Sequence, residues 1–130
     1  MIYLDSSVAL AHLLVEDRRP ARSLWAEALI SSRLLEYEVW CRLHARDALV
    51  ASHGEAARQV LSRISFLELS PMVLARALEP FPEAVRTLDA LHLASIEFLR
   101  GRRLNLRLAS YDRRMNDVAS AMAIPLVGLS

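Results

Sequence analysis

The chain opens with a short apolar segment, Met1 to Leu4, which ends abruptly at Asp5, Ser6 and Ser7. A short apolar run bounded in this way is typical of a buried β-strand, and Asp and Ser are residue types that cap the free amides at the start of a helix. The sequence therefore predicts a buried strand that leads directly into a helix. This junction favours a fold in which strands and helices alternate.

The alternation continues along the chain. We expect helices at 8–16, 20–30 and 35–52, one that starts at 55, one from 70–71 up to the prolines at 80 and 82, and two more at 87–99 and 111–122. We expect further strands at 66–69 and 106–110, and an edge strand at 124–127. Ser31 and Ser32 are expected to form a link, and Gly54 to end a helix. Strands separated by helices predict an α/β domain, a three-layer α/β/α arrangement with a mainly parallel central sheet flanked by helices.

Composition supports one such unit. The 130 residues, 54% hydrophobic with only three glycines, fit a single domain over 1–130. The lone Cys41 is compatible with a reducing, cytoplasmic setting, and we expect neither a membrane span nor a signal peptide. The net charge is only +1, and all sixteen basic residues are arginine. A strong positive field, which would indicate nucleic acid binding, is therefore absent.

Four carboxylates occupy positions suited to a common site. Asp5 and Asp112 lie just after predicted strands, and in parallel sheets ligands bind beyond the carboxyl ends of the strands. Asp89 lies in the first turn of an almost wholly apolar helix, and Glu38 lies one turn into another helix, beside Trp40. Carboxylates in apolar surroundings are costly to bury unless a cation or metal pairs with them.

Each acid also has a structural interpretation when it is taken alone. Asp5 and Asp112 suit helix N-caps, Asp89 gains from the helix dipole, and Glu38 is placed to pair with Arg42. Taken together, four carboxylates in one cleft would repel one another unless a divalent cation neutralised them. Oxygen ligands favour Mg²⁺ or Mn²⁺, and one cysteine with four scattered histidines argues against zinc. His92 either orients Asp89 or is a core histidine.

Four segments in this order resemble the PIN-domain toxins of the VapC type: Ile2–Ser7, Glu36–Val39, Leu88–Ala94 and Ala109–Met115. The resemblance implies a parallel sheet flanked by helices, a quartet of Asp5, Glu38, Asp89 and Asp112 that binds Mg²⁺ or Mn²⁺, and endonucleolytic cleavage of RNA. It also implies inhibition by a small VapB-like antitoxin protein and pairing as a homodimer.

The same resemblance assigns supporting residues. Ser6 is the small hydroxyl residue that follows the first acid, and Glu36 is a rival for the place of Glu38. Asn116, one helical turn after Asp112, is expected to face the same metal, whereas Asp117 points about 100° away. Glu38 is preferred to Glu36 because it directly precedes Val39 to Arg42, a stretch where the family has apolar residues and then arginine. The sequence alone settles neither this choice nor the choice between Asn116 and Asp117.

Metal-assisted hydrolysis would leave 5′-phosphate and 3′-hydroxyl ends, with Arg113 and Arg114 contacting the RNA backbone. The alternative is a non-catalytic PIN-like module that binds protein or RNA. Phosphoryl transfer through an aspartyl phosphate is disfavoured, because those enzymes normally use a lysine and this chain has none.

Overall fold

A computed structural model describes residues 1–15 and 18–129. It contains a four-stranded sheet, all of whose strand pairs are parallel, in the order β3-β2-β1-β4. The strands are β1 (Ile2–Leu4), β2 (Leu29–Ser32), β3 (Ile64–Leu67) and β4 (Arg107–Ala109). In the middle of this sheet Tyr3 lies between Ile30 and Leu108. The predicted parallel sheet is confirmed.

Helices cover both faces of the sheet. They are α1 (Ser6–Leu13), α2 (Leu34–His44), α3 (Asp47–Ser62), α4 (Pro71–Ala77), α5 (Thr87–Gly101) and α6 (Arg113–Ala121). Successive strand residues point to opposite faces, so Ile2 and Leu4 pack with α1 to α3 while Tyr3 packs with α5 and α6. These are the three predicted layers. No helix in the described ranges is long and apolar enough to span a bilayer.

The predicted helix at 20–30 is wrong. A short 3-10 helix covers Arg22–Ala26, and the chain then forms β2 at the position expected to hold the Ser31–Ser32 link. Two apolar residues give too short a pattern to identify a strand, and pairing on both edges decides the outcome. The Ser31 hydroxyl donates to the Leu4 carbonyl oxygen at 2.7 Å, which fastens the end of β2 to β1.

The predicted helix at 35–52 is also divided differently. Its first part, α2, ends at His44, and Arg46 adopts an extended conformation before α3 begins. Gly54 does not end a helix but lies buried inside α3, so the predicted helix start at residue 55 is also wrong. A Cβ atom at Gly54 would lie 3.9 Å from the Trp40 ring, which shows that this glycine lies where α3 packs against α2.

Smaller boundary shifts also occur. β3 ends at Leu67, two residues before the predicted end of that strand, and Glu68 instead pairs with Arg33. The first helix ends at Leu13 instead of residue 16, which lies outside the described residues. The predicted edge strand at 124–127 is reduced to a single parallel bridge between Leu126 and Leu108 of β4.

The strand order places a crevice at the carboxyl ends of the strands. From β1 the chain proceeds to β2 and β3 on one side, and it later returns to pair β4 on the other side of β1. The connections after β1 and β4 therefore diverge to opposite sides, and ligands bind at such a switch point in parallel sheets. Asp5 directly follows β1, and Ser110 directly follows β4.

The layer of α5 and α6 gives a test of the packing. Leu93 is fully buried between the sheet and these helices, so Leu93→Ala is expected to lower the free energy of unfolding by about 2–5 kcal/mol. Tyr37 of α2 is 62% exposed, and Tyr37→Ala should change the same quantity by about 0.5 kcal/mol at most. Urea denaturation followed by circular dichroism measures both. Equal losses for the two variants would contradict the described core.

Candidate active site

A cleft of about 510 Å³ opens at the carboxyl ends of β1 and β4. It is lined by all four predicted acids, Asp5, Glu38, Asp89 and Asp112, together with Ser6, Ser7, Leu10, Arg42, Arg86, Thr87 and Leu88. Side chains from four distant parts of the chain thus share one space. Asp5 and Asp112 come from the segments that follow β1 and β4, and α2 and α5 supply the others.

Asp5 is the most deeply placed of the four acids, with 5% of its surface exposed. Its Oδ2 accepts hydrogen bonds from the Ser7 hydroxyl at 2.6 Å and the Ser110 hydroxyl at 2.8 Å. The Ser7 amide also donates to Oδ2, so Asp5 caps α1 as well. Burial of this carboxylate is therefore compensated by three donors, and two of them are hydroxyls that sequence reasoning did not single out.

Glu38 projects from α2 and is held by two donors. The Ser6 hydroxyl donates to Oε2 at 3.2 Å, and His92 lies 2.5 Å from Oε1 through its Nε2 atom. Of the two predicted alternatives the structure fits the core histidine, because His92 is fully buried and its ring pairs with Tyr3 and Glu38 instead of Asp89. Among the described residues no ion pair joins Glu38 to Arg42, which lines the cleft separately.

Asp89 lies in the first turn of α5 and is partly buried. Burial raises the pKa of its carboxyl, and the negative charges of Asp112 and Asp5 raise it further, while Arg86 and His92 act in the opposite direction. Asp112 and Asp5 therefore lie close enough to oppose the ionisation of Asp89. A positive charge in this cleft would relieve that repulsion.

Asp112 caps α6. Its Oδ1 accepts from the amides of Arg114 at 3.0 Å and Met115 at 3.2 Å. Asn116 does not line the cleft, and its Nδ2 donates to the Ser110 carbonyl oxygen at 2.9 Å. In the part of the chain that the structure describes, its buried Oδ1 has no partner. Asn116 thus fastens the turn between β4 and α6.

The remaining candidates lie outside the cleft lining. Glu36, the rival of Glu38, pairs with Arg33 at 3.5 Å. Asp117 is exposed on α6. The predicted RNA contacts Arg113 and Arg114 are likewise exposed, in the first turn of α6. Two guanidinium groups that sequence reasoning did not assign to RNA, those of Arg42 and Arg86, line the cleft itself.

The donor set suits a hard divalent cation, because carboxylate oxygens are the ligands that Mg²⁺ and Mn²⁺ prefer. Among the described residues, hydrogen-bond donors reach only Oδ2 of Asp5 and only Oδ1 of Asp112. One oxygen of each carboxylate is therefore left for a ligand. As they stand, no three His, Cys, Asp or Glu side chains of the described residues are close enough together to hold an ion. Binding would therefore require the acids to draw together.

Comparisons with known proteins identify the fold and the family. The family model described as PIN domain matches residues 2–121. Ribonuclease VapC46 of Mycobacterium tuberculosis is 35% identical over 99% of this chain and 98% of its own length, and ribonuclease VapC35 of the same species is 28% identical over 98% and 96%.

Two solved structures share the fold. The chain superimposes on the sarcin-ricin loop cleaving toxin VapC20 of M. tuberculosis with a TM-score of 0.68 and 20% identity, covering 98% of both chains. A toxin–antitoxin complex from Klebsiella pneumoniae gives a TM-score of 0.64 and 18% identity over 86% and 87% of the two chains. Given the matched model and the curated relatives, this chain belongs to the PIN domain family and is of the VapC type.

Proposed function

We propose that this chain is a divalent-metal-dependent endoribonuclease, the toxin of a toxin–antitoxin pair. The observation that carries the proposal is the grouping of Asp5, Glu38, Asp89 and Asp112 in one cleft at the switch point of a parallel sheet. Relatives that match almost the full chain are named ribonucleases, which supports RNA as the substrate.

The four acids would hold Mg²⁺, or Mn²⁺ in its place. When bound, such an ion supplies charge stabilisation on the phosphate and a more acidic water. The chain's own contribution is to orient each carboxylate before the acids draw together around the ion. Ser7 and Ser110 fix Asp5, Ser6 fixes Glu38, and the amides at the start of α6 fix Asp112.

RNA enters this cleft past basic side chains. Arg42 and Arg86 line it, and Arg113 and Arg114 lie beside it on the first turn of α6. Guanidinium groups bind phosphate through paired N–H donors, and phosphate contacts fix the position of the backbone without reading its sequence. We assign all four arginines to backbone binding.

We also propose two protein partners. A small antitoxin of the VapB kind would bind and inhibit the chain, a proposal supported by the solved toxin–antitoxin complex that shares its fold. A second copy of the chain would form a homodimer. Support comes from the exposed apolar side chains Met72, Leu74 and Leu78 of α4 and the turn after it, near an apolar cavity of about 670 Å³.

Removal of one acid tests the site. Asp89→Asn is expected to reduce RNA cleavage at least about 100-fold, because changes to residues that only support a metal ligand already cost 10–100-fold. EDTA should abolish cleavage by the unmodified protein, and added Mg²⁺ or Mn²⁺ should restore it. Gel analysis of total RNA measures all of these.

Asp117→Asn is the matched control, because it makes the same change at an exposed position of α6 outside the cleft. It should cleave like the unmodified protein. Cleavage that persists equally in EDTA and in Asp89→Asn would refute the metal site. RNA binding without cleavage under every condition would favour the non-catalytic module.

The ends of the products test the mechanism. We expect 5′-phosphate and 3′-hydroxyl ends, because no histidine of the described residues lines the cleft to activate the RNA 2′-hydroxyl. His92 lies behind Glu38 and is fully buried. Ligation-based sequencing of the fragments, with and without phosphatase treatment, identifies the ends. Cyclic 2′,3′-phosphates would rule out the hydrolytic mechanism.

The cleft arginines give a separate test on binding. In a Glu38→Gln background that does not cleave, Arg86→Ala should weaken RNA binding and reduce the slope of log affinity against log salt by about 0.7, the effect of one lost phosphate contact on a single strand. Fluorescence anisotropy from 50 to 200 mM salt measures it. Arg58→Ala is the control, because Arg58 lies on α3 and pairs with Glu55. An unchanged slope for Arg86→Ala would remove it from the RNA site.

A further inference from the structure

A chain of buried hydrogen bonds runs from the centre of the sheet to Glu38. The Ser32 amide donates to the Tyr3 hydroxyl oxygen at 3.2 Å, and that hydroxyl lies 2.7 Å from Nδ1 of His92. The opposite ring nitrogen, Nε2, lies 2.5 Å from Oε1 of Glu38. Tyr3 and His92 are both fully buried, whereas the Glu38 side chain is 17% exposed, at the cleft.

The Glu38 carboxylate, as the final acceptor, sets the direction of these hydrogen bonds. A carboxylate can only accept hydrogen bonds, so Nε2 of His92 must carry the hydrogen that lies between them. In the neutral ring Nδ1 is then an acceptor, and the Tyr3 hydroxyl donates to it. In the charged ring Nε2 still donates to Glu38. In both states the Glu38 carboxylate is held by the ring.

The geometry points to His92 and Tyr3 as positioning residues that fix Glu38 in the cleft, an inference that rests on the proposed ribonuclease function. The ring is itself fixed, because Tyr3 lies in β1 between β2 and β4 and is tied to the Ser32 amide. The Tyr3 ring packs edge-on against the His92 ring, with ring centroids 5.8 Å apart, and this contact limits rotation of the imidazole. A buried support of this kind determines where the carboxylate oxygens lie when a ligand arrives.

Three substitutions separate positioning from packing. His92→Phe keeps a ring of similar size but removes both nitrogens, His92→Gln keeps an N–H donor that can reach Glu38, and Tyr3→Phe removes only the hydroxyl. Ile96→Val, one turn further along α5, is the control, because this buried residue belongs to the same core but makes no contact in the chain of hydrogen bonds. Circular dichroism shows whether each variant is folded.

Kinetics on an RNA that the unmodified protein cleaves give the first measurement. His92→Phe should lower kcat about 10–100-fold while KM stays within about twofold, because supporting residues act on the ligand sphere more than on RNA binding. The kcat of Tyr3→Phe should lie between those of His92→Phe and the unmodified protein. His92→Gln should recover part of the lost kcat, and Ile96→Val should keep full activity. The inference is overturned if His92→Phe behaves like Ile96→Val, or if His92→Gln is as impaired as His92→Phe.

A second measurement does not depend on RNA cleavage. Long-range ¹H–¹⁵N correlation spectra of the metal-free protein should show a hydrogen on Nε2 of His92, with a ring signal that shifts in Tyr3→Phe and in Glu38→Gln. A ring with hydrogen on Nδ1 alone would overturn the inference. If the unmodified protein cleaves no RNA, the ribonuclease proposal fails, while the spectra still decide whether His92 holds Glu38.

Discussion

The fold of this chain depends on a buried negative charge at the end of its first strand. An isolated carboxylate away from water costs several kcal/mol, so Asp5 can be accommodated only where donors converge on it. These donors come from both ends of the chain, because Ser7 follows it in α1 and Ser110 follows β4. A backbone hydrogen bond of 3.0 Å from the Asp5 amide to the Ala109 carbonyl oxygen joins the same two segments. The carboxylate that lines the cleft therefore also ties β4 to β1.

The position of the cleft follows from the order of the strands. Helices after β1 and β4 leave toward opposite faces of the sheet, so the two strand ends have open space between them. Only two of the four acids, Asp5 and Asp112, come from the segments that follow these strand ends. Glu38 and Asp89 must be brought over them by α2 and α5, and each lies near the start of its helix. This explains how residues more than fifty positions apart reach the same cavity of about 510 Å³.

Local patterns were sufficient for the parts of the fold that are strongly apolar or clearly capped. β1, the long apolar α5 and the caps at Asp5 and Ser70 were all readable from the sequence. β2 was not, because Leu29 and Ile30 carry no periodic signal and become a strand only through pairing with β1 and β3. The hydrogen bond between His92 and Glu38 could not be predicted from the sequence either. The two residues lie 54 positions apart on different helices, and only the packing of α5 against the sheet brings Nε2 to Glu38.

For two of the acids the choice between a helix cap and a functional carboxylate proves not to be exclusive. Asp112 uses Oδ1 to accept from two amides at the start of α6, and Asp5 uses Oδ2 for the α1 amide and two hydroxyls. Each carboxylate keeps a second oxygen to which no described residue donates. The capping bonds fix the orientation of each side chain in the cleft that both residues line. Capping thus orients these two acids in the cleft and leaves one oxygen of each available to a ligand.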